Sequence, residues 1–174
     1  MHAVRGDCKV QSAMSADYVI EHPNRDKAGS KATKAVIILL LLVSVALFLI
    51  VTIGGWSALV GAQAMQIFYI LVYLLSAFYV ARWNRGVLPV IAALAIIMLI
   101  FAAVATPAWF DRDKTGFHDP ALASSILGTI TAIIVPVQAL LIVFAMRGFQ
   151  QAWSVEVERY ADGTSNAEIV AARA

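Results

Sequence analysis

No Asp, Glu, Lys, Arg or His stands within any of the four longest apolar runs of this 174-residue chain, at about residues 35–55, 59–81, 87–108 and 121–146. Proton relays, ion-coupled carriers and voltage sensors keep ionisable groups at membrane depth despite a cost of about 2.5–3.5 kcal/mol each. That absence argues against all three. Cysteine is nearly missing too: Cys8 alone excludes an internal disulfide and any C-x-x-C site. Arg5, Gly6 and Asp7 precede it where a lipobox would need small apolar residues. The chain carries no P-loop, no G-x-S-x-G, no H-E-x-x-H and no paired-histidine ligand set. A net charge of only +2 gives no reason to expect a nucleic-acid partner.

What is present is apolar. Hydrophobic residues make up 61% of the chain, against roughly 45–50% in soluble domains, and the mean hydropathy is +0.80. A soluble fold of this length would expose large apolar patches, so the expected solvent is a lipid bilayer. Ala35 to Ile53 reaches about 28 Å as a helix, close to the ~30 Å hydrocarbon thickness. A secretory leader is the competing reading of that run, but Ala62-Gln63-Ala64, which resembles its cleavage site, lies too far beyond it.

The expected fold is all-α: an integral membrane four-helix bundle, N-in/C-in, with flexible cytoplasmic tails at 1–34 and 147–174 and a transmembrane domain at 35–146. Tyr79 to Val87 is the basic turn that organises it, with Asn84 and Gly86 supplying the backbone freedom of a tight reversal. Lys31, Lys34, Arg82, Arg85 and Arg147 flank the runs on one side and only Arg112 and Lys114 on the other, so the first group faces the cytoplasm. Trp56, Trp83, Trp109 and Trp153 each fall just past a run and, with Arg82, Arg85 and Arg147, read as membrane-interface anchors. Thr106 and Pro107 are expected to close or bend the third helix. Gly148 to Tyr160 reads as an amphipathic segment lying on the membrane or touching a partner, with Phe149 and Trp153 on its apolar side.

The fourth run carries the candidate docking surface. Ser124, Gly128 and Ala132 recur at i, i+4 and i+8, a small-residue stripe that admits another helix. Pro136 should kink the helix, with Gln138 re-satisfying a freed backbone group. Tyr69, Tyr73 and Ser76 share a face of the second run and read as interhelical packing. The one charged loop between runs holds Asp111, Asp113, His118 and Asp119, an oxygen-rich set with one imidazole that could hold a divalent cation. The bland reading of a solvated loop is preferred, and no metal or other cofactor is expected.

The segments Tyr79 to Gly86 (YVARWNRG), Pro107 to Lys114 (PAWFDRDK) and Met146 to Trp153 (MRGFQQAW) give the chain a likeness over Lys34 to Trp153. It resembles small four-span membrane proteins of actinobacteria, and among them the accessory subunits of the lipid uptake coordinator B type that accompany mycobacterial Mce lipid importers. The resemblance implies a non-catalytic subunit whose partners are the lipid bilayer and other integral membrane subunits, in particular the permease of an ABC-type lipid importer. It supplies no binding residues. Two other classes compete: a homo-oligomeric transporter or channel for a neutral or lipidic solute, its path lined by Pro136, Gln138 and the tyrosine face, and an outer-face lipid enzyme using Asp111, Asp113 and His118.

Overall fold

In the computed structural model, residues 18–113 and 120–160 are described. A strand β1 (Tyr18–Glu21) leads into a one-turn helix α1 (Pro23–Asp26) and then the long helices α2 (Ala28–Gly54), α3 (Gln63–Ala81), α4 (Val87–Phe110) and α5 (Ser124–Gln150). A strand β2 (Val157–Tyr160) pairs antiparallel with β1, Tyr18 opposite Tyr160. All four long helices are long and apolar enough to cross a bilayer. They pack as α3 on α2, α2 on α5 and α5 on α4, while the α3–α4 seam is the weakest between consecutive long helices.

α2 and α5 have 27 residues each, about 40 Å at 1.5 Å per residue, so each is longer than a ~30 Å hydrocarbon layer by about two turns. Both overshoot at the end of the bundle that carries β1 and β2. There α2 begins at Ala28, with Lys31 and Lys34 inside the helix, and the Lys34 Nζ donates to the Ala81 carbonyl at 2.7 Å, satisfying a C-terminal carbonyl of α3.

The helix ends depart from expectation where packing overrides local preference. α4 runs through Pro107 to Phe110, because Trp109, 5% exposed, is held against Gly55: a Cβ on that glycine would lie 2.8 Å from the ring. α5 starts at Ser124 and continues past Arg147, because Gly148 is buried against Ile37, Leu88 and Trp153, and a Cβ there would lie 3.0–3.3 Å from all three. The segment from Gly148 to Tyr160, expected as one amphipathic stretch, is divided: its start belongs to α5 and its end is β2. Likewise the stretch 18–34, expected as part of a flexible tail, holds a strand, a single helical turn and the start of α2. At the opposite end Leu122 N–H donates to the Gly54 carbonyl at 3.1 Å, tying the two far turns together.

Candidate functional site

At mid-depth, three helices are joined by one polar chain. Tyr73 of α3 donates its hydroxyl to Gln138 Oε1 at 2.9 Å. Gln138 Nε2 donates to Ser44 Oγ of α2 at 3.0 Å, and Ser44 donates to the Leu40 carbonyl one turn back at 2.8 Å. All three side chains are fully buried. Gln138 thus bonds side chains on two neighbouring helices, rather than a backbone group freed by Pro136. Phe48 packs against Tyr73 at 5.5 Å and edge-on to Tyr69 at 6.3 Å, and the two tyrosines meet edge-to-face at 5.8 Å, extending the clasp into an aromatic ladder. The clasp holds its members uncharged and hydrogen-bonded. It offers no nucleophile beside a base and no exposed acid.

The small-residue stripe is split by helical geometry. Successive i+4 positions precess by about 40° around a 3.6-residue helix. Ser124 and Gly128 are buried, Ala132 is half-buried and Pro136 is exposed, while the buried face proceeds through Thr131, Ile134 and Gln138. Gly128 faces Phe110 of α4, whose ring would lie 3.0 Å from a Cβ there. The close approach this glycine permits is made inside the chain. α5 passes through Pro136 unbroken.

The turn after α3 is built differently from its sequence-based expectation. Asn84 N–H bonds the Tyr79 carbonyl and Trp83 N–H the Val80 carbonyl, at 3.1 and 2.9 Å. This is the paired closure of a Schellman motif, and its left-handed position falls on Trp83, at φ 61°, not on Asn84 or Gly86. Such a φ is a genuine outlier for a bulky residue. Its compensation is Trp153, fully buried and edge-on to Trp83 at 5.3 Å, with Lys34 Nζ 4.0 Å above the Trp83 ring. Trp153 follows a second left-handed residue, Ala152 at φ 49°.

Around this pair the terminal end is latched. Arg25 Nε donates to the Trp153 carbonyl at 3.0 Å, Asn24 to the Ala152 carbonyl at 3.1 Å, and Gln151 to Thr33 Oγ1 at 3.0 Å. Arg85 Nε donates to the Phe149 carbonyl at 2.8 Å while its guanidinium stacks over the Phe149 ring at 4.2 Å. Arg82 and Arg147 remain exposed. Trp153 and Trp109 are internal packing residues here, and Trp56 alone of the four tryptophans is exposed, by 50%.

Compared with known proteins, the chain matches no family model, no curated protein and no solved structure. The acidic loop adds no competing site among the described residues, which hold no group of three or more metal-ligating side chains. Asp111 and Asp113 lie in a short 3-10 turn, with Asp111 exposed. His118, Asp119 and the side chain of Asp113 fall outside the described residues. Sequence reasoning missed the clasp as a unit. Gln138, Tyr73 and Ser44 were each visible as isolated polar residues in apolar runs, and that isolation was the signal that they must find one another.

Proposed function

We propose that this protein is a non-catalytic accessory subunit of a membrane complex, a Mce-type lipid importer in the reading its resemblance favours, with both termini cytoplasmic and its long helices docked on a permease. The observation that carries the proposal is the clasp: Ser44, Tyr73 and Gln138, buried at mid-depth, bond one another across α2, α3 and α5, which suits a scaffold and spends these polar groups on holding helices together instead of lining a path. Only 28–39% of the most apolar stretch of each long helix is buried within the chain. The remainder is apolar surface for lipid and neighbouring helices. On α3, Phe68, Leu71, Leu75 and Phe78 form one outward row, and α3 is the least covered of the four helices.

Purification from native membranes in mild detergent is expected to bring partner subunits along. Leu71→Trp keeps the row lipid-compatible while blocking close approach of a second helix, so it is expected to lose those partners. A wild-type chain that purifies alone, or a Leu71→Trp chain that keeps its partners, overturns this reading. Gly128→Leu is not a suitable probe, because it would strike Phe110 of the same chain.

The topology has a built-in reporter in Cys8, the chain's one thiol. In intact cells a membrane-impermeant maleimide is expected to leave Cys8 unlabelled and to label it after permeabilisation. A Thr115→Cys change in a Cys8→Ser background should show the reverse. Labelling of Cys8 in intact cells would place the N-terminus outside.

A further inference from the structure

The weak α3–α4 seam opens into a cleft at the end of the bundle away from β1 and β2, with a volume of about 140 Å³. An engineered apolar cavity of about 150 Å³ takes up benzene, so this one has room for part of a hydrocarbon chain. Phe48, Met65, Met98, Ala102 and Trp109 line it, and Phe101, 46% exposed, stands at its wall toward the outside. Among these walls is one unanswered polar atom: Gln66 Oε1 is buried and has no hydrogen-bond partner. Buried acceptors of this kind are rare in native folds and call for an explanation. A lone water would be thinly held there, since it makes two to four polar contacts and Thr131, the other polar side chain on these walls, spends its O–H on the Leu127 carbonyl at 2.8 Å and has only acceptor lone pairs left to offer. A plain acyl chain would fill the space and leave the acceptor orphaned. Gln66 lies three residues into α3, about 5 Å below the helix end, the depth at which a neutral lipid alcohol keeps its hydroxyl beneath the headgroups.

We infer that this cleft binds a hydroxyl-bearing neutral lipid from the adjoining leaflet, the half-buried Gln66 side chain turning its Oε1 into the cleft to accept the lipid O–H and the chain lying against Phe48, Met65, Met98 and Ala102. The inference goes beyond the docking proposal and depends only on the bundle lying in a bilayer. The probe is a long-chain alcohol carrying a photoactivatable diazirine near its hydroxyl, added to the full chain in phosphatidylcholine nanodiscs, beside the same hydrocarbon without the hydroxyl. Labelling is expected to concentrate on the peptides bearing Met65 and Met98 to Ala102, with the alcohol favoured about fivefold, the ratio one hydrogen bond supplies. Gln66→Leu should bring the alcohol down to the level of the hydrocarbon, and Ala105→Phe, which narrows the cleft from its half-buried wall, should remove both signals; circular dichroism of each variant establishes that it is folded. Equal labelling by the two probes, indifference to Gln66→Leu, or labelling spread evenly onto the outward α5 residues Leu140 and Val143 overturns the inference. Gln66→Leu is expected to keep its co-purifying partners, so failure of lipid binding and failure of docking appear in separate measurements.

Discussion

Trp153→Ala is expected to lower the stability of the protein by about 3–5 kcal/mol, the range for truncating a large buried aromatic side chain. Trp153 is fully buried, and the loss is not only that of its own packing. Its ring lies edge-on to Trp83, and that contact is what holds Trp83 in a left-handed conformation. Its Nε1 donates to Gln151 Oε1 at 3.0 Å, orienting the amide whose nitrogen reaches Thr33 of α2. Its carbonyl accepts from Arg25. Removing the ring therefore loosens α5 from α2, the α3–α4 turn from both, and α1 from the whole. Trp153→Phe keeps most of the buried area and loses the indole hydrogen bond, so about 1 kcal/mol is expected. Denaturant titration in detergent micelles ranks the two, and limited proteolysis should show cleavage near Arg25 and Lys27 rising in the alanine variant first. Equal stability of the alanine variant and the wild type would mean that the latch does not form.

The four long helices were legible because apolar length is a local property: a run of twenty or so uncharged residues has few alternatives in a chain this hydrophobic. The buried placement of Tyr69, Tyr73 and Ser76 follows from their spacing for the same reason. What was not legible depends on residues far apart in sequence. β1 and β2 pair across more than a hundred residues, and neither four-residue segment has a period of its own that would reveal it. Trp83 reads as a membrane anchor by position, and only the arrival of Trp153 and Lys34 makes a left-handed tryptophan tolerable there. Pro107 and Gly148 are helix breakers by propensity, yet α4 and α5 pass through both because Trp109 and the Ile37–Leu88–Trp153 cluster hold the backbone on either side. The stripe on α5 was read as one surface, whereas a spacing of four winds it from the interior at Ser124 to the exterior at Pro136.

The polar clasp makes the sharpest demand on energetics, because its members should fail individually and tolerate joint removal. Gln138→Leu is close in volume and leaves Ser44 its bond to the Leu40 carbonyl, but it orphans the Tyr73 hydroxyl in a fully buried position. Tyr73→Phe orphans Gln138 Oε1 in turn. An interhelical hydrogen bond in a membrane contributes only about 0.6 kcal/mol on average, whereas an orphaned buried group costs about 1–3 kcal/mol, so the orphan and not the lost bond dominates each single change. The double variant Tyr73→Phe, Gln138→Leu removes donor and acceptor together, and exchanging both partners for apolar groups of like shape is close to neutral. Its loss of stability is therefore expected to fall short of the sum of the two single losses by at least about 1 kcal/mol, read as the coupling term of a double-mutant cycle. Additive single effects would show that the two side chains do not meet, and that α3 is held in the bundle by its aromatic ladder with Phe48 of α2 and by apolar packing alone.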